Sequence, residues 1–225
     1  MNQRQIIYSI AVALALTLLS IFFFDQPIAA FVHSVGGESS VILRQGTSFL
    51  DVISGFPIDR YALTYALLAT AAILFAWKST RSAAWMLLFI GVTQIVTRLT
   101  AGTLKNVFSR LRPFEVIQAG NWDWNFFGDR GSSFPSGHAA HWWGLFFPLA
   151  FLFPRYRLPF LIIPLFISVA RVGVNDHWCS DVLGSIAIAA AITLFFTWLF
   201  RMKPAMASDP SPATTQKETL EVHEN

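Results

Sequence analysis

Charge is what this chain has least of. Lysine, arginine, aspartate and glutamate make up 13% of its 225 residues, against roughly 25% in ordinary soluble domains. Hydrophobic residues take 54% of positions and the mean hydropathy is +0.52. A water-soluble globular fold is thereby excluded, and an all-α integral membrane protein is expected. Cysteine occurs once, at Cys179, so no disulfide forms within the chain and the residue reads as a small apolar packing group. A basic patch or stripe is also missing. The net charge is +3 and the pI about 9.3, but the basic residues stand singly between apolar runs, which argues against a nucleic-acid partner. There is no internal repeat.

The apolar runs predict a six-span transmembrane helix bundle. Ile6 to Phe24 has the roughly 20 residues needed to cross a hydrocarbon core. No Ala-x-Ala site follows Phe24, so this run is expected to stay as an anchor. Asp25 to Arg60 mixes apolar and polar positions and suits one or two amphipathic helices lying in the interface. Further spans run from about Tyr61 to Trp77, from Ala83 to near Lys105, from His138 to Phe153, from Leu158 to Val172 and from Asp181 to Phe200. Residues 1–203 thus form one membrane domain, and residues 204–225, rich in Pro, Ala, Ser, Thr and Glu, a disordered tail. Arg4, Lys78/Arg81, Arg155/Arg157 and Arg201/Lys203 fall on one side, with no acidic residue in those short segments. The positive-inside rule makes that side cytoplasmic, both termini included.

The ionisable residues that do not fit an apolar bundle then collect at the other side. Pro135-Ser136-Gly137-His138 opens the fourth span, where a helix start leaves backbone N–H groups free to bind an anion. Lys105 and Arg112 are seven apart and share a direction if the third helix runs on to Pro113. His177 and Asp181 are four apart, so on a helix capped by Asn175 the carboxylate would lie beneath the imidazole and fix its tautomer. With Arg171, these residues describe a pocket for a dianion undergoing chemistry. His138/His141 and His177/Asp181 also have metal-ligand spacing, but the neighbouring cations would repel a metal. His33 and His141 read as ordinary interfacial histidines. Arg98, on the Lys105 stripe but deeper, reads as a brace for the bundle or a leaving-group contact. Trp122, Trp124, Phe126 and Phe127 would dip into lipid headgroups or line a lipid path, while Asp123, Asp129 and Arg130 would be solvated.

Lys105-x6-Arg112-Pro113, Pro135-Ser136-Gly137-His138 and Arg171-x5-His177-x3-Asp181 together resemble the three-part signature of the type 2 phosphatidic acid phosphatase family. Signature and spans cover nearly all the chain except the tail. Ala170 departs from the pattern, since the family usually has serine before the arginine. The resemblance implies that His177, oriented by Asp181, attacks phosphorus and forms a phosphohistidine while His138 protonates the leaving oxygen. It further implies that Lys105, Arg112, Arg171 and the backbone N–H groups of Ser136 and Gly137 hold the phosphoryl oxygens, with no metal or other cofactor. Activity would then be bell-shaped in pH. The expected protein is a lipid phosphate or diphosphate phosphatase of a bacterial-type inner membrane, its site facing the periplasm. Its only expected partners are membrane lipids and a substrate such as undecaprenyl diphosphate, phosphatidic acid, phosphatidylglycerol phosphate or a lipid A phosphate. A phosphotransferase using a second lipid in place of water is the nearest alternative. A non-catalytic binder or transporter is disfavoured, because binding needs only the cations.

Overall fold

The computed structural model describes residues 2–120, 126–128 and 130–204, and among these there is no strand. The readings given above for Trp122, Asp123, Trp124, Asp129 and the tail beyond residue 204 lie outside the described residues. Among the described residues nine α-helices run α1 (Gln3–Leu19), α2 (Asp25–Ser34), α3 (Val41–Ile53), α4 (Ala62–Leu74), α5 (Arg81–Phe108), α6 (Pro113–Gln118), α7 (Gly137–Leu152), α8 (Arg157–Gly173) and α9 (Cys179–Leu199). Among the described residues four helical stretches are long and apolar enough to cross a membrane: Gln3–Ser34, Lys78–Gln118, Pro154–Gly173 and Cys179–Leu199. The stretches expected to supply the second and fourth spans form the shorter helices α4 and α7.

Local sequence explains where these helices begin and bend. Asn2 starts α1 with a capping box, its side chain accepting from the Gln5 N–H while the Gln5 side chain accepts from the Asn2 N–H. A π-helical turn, Ser20–Phe24, joins α1 directly to α2. The first part of the expected interfacial segment is therefore an extension of the first span, and α3 supplies the amphipathic remainder. The junction holds because Asp25, immediately after the π turn, is buried and paired.

At the centre lies α7, in which only Gly137, His138 and Leu149 escape full burial. It packs against α5, α8 and α9. Gly144 sets the approach to α5: a Cβ there would stand 3.0 Å from Thr97 Cβ and 3.3 Å from Gln94 Cα. On the far side, Trp143 Nε1 donates to Ser168 Oγ of α8 at 2.9 Å. The start of α5 and the end of α9 meet around Ser82, Trp85 and Phe200. The basic turns at Lys78/Arg81 and Arg201/Lys203 thus share one end of the bundle. The opposite end, where α5 finishes and α7 and α9 begin, holds the out-of-place polar residues.

The link from α5 to α6 is not the continuous helix that the Lys105/Arg112 spacing suggested. Ser109 has φ 43°, in the left-handed region, and its N–H donates to the Lys105 carbonyl to end α5. Arg112 is extended, as expected before Pro113. The break is fixed by the returning loop, whose Gly128, Gly131 and Ser133 N–H groups donate to the Phe108, Ser109 and Arg110 carbonyls. Gly131 allows this approach, since a Cβ there would fall 2.0 Å from the Arg110 carbonyl oxygen. Phe126 and Phe127 are held in the same loop against Phe108, at centroid distances of 5.1 and 5.3 Å. Phe126 also packs on Phe134, so it is a packing residue; Phe127 keeps an exposed face.

Candidate active site

A cavity of about 540 Å³ opens at this end of the bundle. Lys105, Arg112, Gly137, His138 and His177 line it, five of the eight residues singled out from sequence, and Arg98 stands deeper in the same wall. Asp181 and Ser136 are completely buried and do not reach the cavity lining. Arg171 faces a neighbouring cavity of about 220 Å³ shared with Asp51 and Asp176, and it pairs with Asp176 at 2.9 Å.

His177 does not sit on a helix with Asp181. Asn175 adopts φ 55° and turns the chain sharply after α8, and α9 begins only at Cys179 with Trp178 as its N-cap. Asp181 is the third residue of that helix, and its Oδ2 accepts the Trp178 N–H at 2.9 Å. This cap draws the carboxylate back to within 3.3 Å of His177 Nδ1. The sequence spacing therefore brings the pair together through a helix-capping contact instead of a shared helix face. Asn175 is buried and ties the turn down by donating to Ala29 O at 3.1 Å and Glu38 Oε1 at 2.7 Å.

Asp181 has more partners than the motif reveals. Ser133 Oγ also donates to Oδ2, and Arg110 Nη1 donates to Oδ1 at 2.8 Å. Arg110 is itself 7% exposed and bridges to Asp25 through Nη2 at 2.8 Å. Asp25 in turn accepts the Ser180 N–H at 2.9 Å and the Ser180 hydroxyl at 2.5 Å. The Arg110 guanidinium lies over the Phe126 and Trp178 rings, 4.7 and 5.0 Å from their centroids. An Asp25–Arg110–Asp181 chain thus anchors the carboxylate behind His177. Burial pushes the His177 imidazole down to about 3, the nearby Asp181 carboxylate pulling the other way and Lys105 and Arg171 adding to the depression. The ring is neutral at physiological pH, which is what a nucleophilic nitrogen requires.

The cavity's electropositive wall is assembled from separate elements. Lys105 Nζ donates to the Ser132 carbonyl and, at 3.2 Å, to that of Ser133. The Ser136 N–H donates to the Asp181 carbonyl at 3.1 Å, and its hydroxyl accepts from the Ala139 N–H, so Ser136 serves as the N-cap of α7. Among the described residues the free N–H groups at this helix start are those of Gly137 and His138. Arg98 Nη1 donates to His141 Nδ1 at 2.5 Å, and its guanidinium lies over the Phe56 and Tyr61 rings. Gln94 completes this cluster, accepting from Thr64 Oγ1 at 2.8 Å, so Gln94 ties α5 to α4 and Arg98 ties it to α7 while also facing the cavity. His138 Nε2 lies 3.1 Å from Asp51 Oδ2, and its ring stacks on Phe56 at 4.9 Å. Among the described residues no three His, Cys, Asp or Glu side chains stand together as a metal site would require.

Asp25, Asp51, Arg110 and Ser133 were not singled out from sequence. Asp25 offered one signal, as the charge that ends the first apolar run, and Arg110 another, as a second arginine inside Lys105-x6-Arg112. Asp51 and Ser133 offered none.

The family model described as "PAP2 superfamily" matches residues 82–205. The lipid A 1-phosphatase of Rhizobium etli is 28% identical over 181 residues, 78% of this chain and 77% of that protein. The lipid A 1-phosphatase of Rhizobium johnstonii is 29% identical over 202 residues, 84% of this chain and 78% of that protein. The undecaprenyl-diphosphatase BcrC of Bacillus subtilis is 30% identical over 165 residues, 72% of this chain and 81% of that protein. No solved structure matches.

Proposed function

Because this chain belongs to the PAP2 superfamily, we propose that it is a membrane-embedded phosphatase that removes phosphate from a lipid phosphate or diphosphate through a phosphohistidine on His177. The observation that carries the reading is the buried His177 at a cation-lined cavity, with the buried Asp181 carboxylate at its Nδ1. With Nδ1–H donated to Asp181, the Nε2 lone pair attacks phosphorus. The bond to the leaving oxygen breaks as that oxygen takes a proton from His138. Lys105, Arg112 and the N–H groups of Gly137 and His138 offset the charge on the phosphoryl oxygens, and Arg171 joins them if it leaves Asp176. Water, giving a proton back to His138, then cleaves the phosphorus–nitrogen bond and frees phosphate. No metal takes part.

The substrate belongs to the class named for the relatives, phosphate esters and diphosphates of large bacterial lipids such as lipid A 1-phosphate and undecaprenyl diphosphate. In this reading α4 and α7 complete six spans. At 1.5 Å per residue, α7 is about 24 Å long, short of the roughly 30 Å hydrocarbon core. It tolerates this because it is enclosed by α5, α8 and α9 and meets little lipid. The amphipathic α3 lies in the interface, the basic end faces the cytoplasm, and the cavity faces the periplasm of the inner membrane.

Detergent-purified protein in EDTA is expected to release inorganic phosphate from lipid A 1-phosphate or undecaprenyl diphosphate, and His177→Ala to release none. Release that survives His177→Ala would overturn the mechanism. The pH profile follows from the direction of the His177 shift. The nucleophile gains its proton only near pH 3, so activity should persist through the mildly acidic range, and the alkaline limb reports the general acid. An acid limb of kcat/KM between pH 6 and 7 would contradict a neutral His177.

A further inference from the structure

The contact between Asp51 and His138 is absorbed by none of the three motifs. Asp51 lies in α3, outside residues 82–205. Its Oδ2 is 3.1 Å from His138 Nε2, while its Oδ1 is buried with no partner among the described residues. Both side chains are mostly enclosed, at 16% and 20% exposure. A carboxylate left with an unpaired oxygen in such a place is costly unless the group beside it carries positive charge.

The placement of Asp51 is built into the fold. Its helix is seated on α8. Gly46 lets the two close up, as a Cβ there would stand 2.5 Å from Phe166 Cζ, and Gly173 of α8 meets Leu43 of α3 in the same way at 2.6 Å. Past the end of α3, Phe56 stacks on the His138 ring. The imidazole is therefore clamped by stacking on one side and by a carboxylate at one nitrogen.

We propose that Asp51 is the positioning residue for His138, holding Nε2–H so that Nδ1 is the nitrogen that gives the leaving oxygen its proton. The inference rests on the phosphatase reading and adds a second histidine–carboxylate pair to it. In the forward step the Nδ1–H proton moves to the leaving oxygen as the ester or diphosphate bond to phosphorus breaks, and His138 becomes neutral with Nε2–H still on Asp51. In the second step Nδ1 takes a proton from the attacking water, which restores the imidazolium. Nδ1 has no partner among the described residues, which leaves it free for both transfers.

The other charges around His138 make such a partner necessary. The cavity brings Arg98 and Lys105 of α5, Arg112 ahead of α6, and Arg60 beside Asp59 toward it. His141 lies one turn along α7 and His177 shares the cavity from the α8–α9 link, while the Arg171–Asp176 pair and Arg44 stand with Asp51 in the neighbouring cavity. These groups are mostly cationic, and the Asp51 carboxylate opposes them beside the ring. Asp51 is the carboxylate in contact with the ring.

The test uses full-length protein in detergent, with kcat/KM followed against pH. Wild-type activity that His177→Ala abolishes establishes the phosphatase reading independently. With that in hand, Asp51→Asn is expected to move the alkaline limb down by about one pH unit or more, and Asp51→Glu to restore it in part. Asp51→Ser serves the same purpose if the amide disturbs α3. A second readout is the leaving group: the loss should be large for an alkyl phosphate and small for a lipid nitrophenyl phosphate, whose leaving oxygen needs no acid. An alkaline limb that stays in place in folded Asp51→Asn and Asp51→Ser, with equal losses on both substrates, would overturn the proposal.

Discussion

Asp181→Asn is expected to lower kcat by about 10⁴-fold with little change in KM. The substitution is nearly isosteric, and the new amide oxygen can keep the bond that Arg110 Nη1 now makes at 2.8 Å. The other end of the side chain changes from acceptor to donor. At 3.3 Å from His177 Nδ1, an amide NH₂ would donate to that nitrogen and place the ring proton on Nε2, removing the lone pair that attacks phosphorus. It would also face two other donors, the Trp178 N–H at 2.9 Å and the Ser133 hydroxyl. Initial rates on a lipid phosphate, with size-exclusion profiles to show that the variant is folded, measure the effect. A rise in KM with kcat unchanged would mean that Asp181 serves binding, and that the nucleophile is elsewhere.

Arg110→Ala should be the most damaging single change to stability. It leaves Asp25 and Asp181, 3% and 0% exposed, without the cation they share, and removing one partner of a buried ion pair costs about 3–5 kcal/mol. The guanidinium also fills the space between the Phe126 and Trp178 rings, so a void adds to the loss. A thermal melt in detergent is expected to show a sharply lowered transition and little phosphatase activity. Asp25→Asn added to Arg110→Ala should recover part of the stability without the activity, since it neutralises the carboxylate remote from His177 and leaves Asp181 unanchored. A double variant no more stable than Arg110→Ala would indicate that packing, not charge, dominates at this position.

Sequence by itself determined the medium, the fold class and the candidate residues of the site. Scarce charge and long apolar runs left only a helical membrane protein. The spacing of His177 to Asp181, of Lys105 to Arg112, and the helix-opening Pro135-Ser136-Gly137-His138 were legible because each motif works within a few residues of itself. Even so, local geometry altered how two of them work. A left-handed Ser109 breaks the helix between Lys105 and Arg112, and a capping contact, not a shared helix face, joins His177 to Asp181. Only the tertiary structure decided what stands behind the motifs. Asp25 reaches Ser180, and Arg110 reaches Asp25 and Asp181, because α1 packs along α9 and brings a charge after the first span to the start of the last. Asp51 reaches His138 because glycines let α3 lie against α8. A polar residue's partner across scores of positions depends on which helices touch and at what register. That is set by the packing of many weakly patterned apolar side chains, which leave no local spacing in the chain to read.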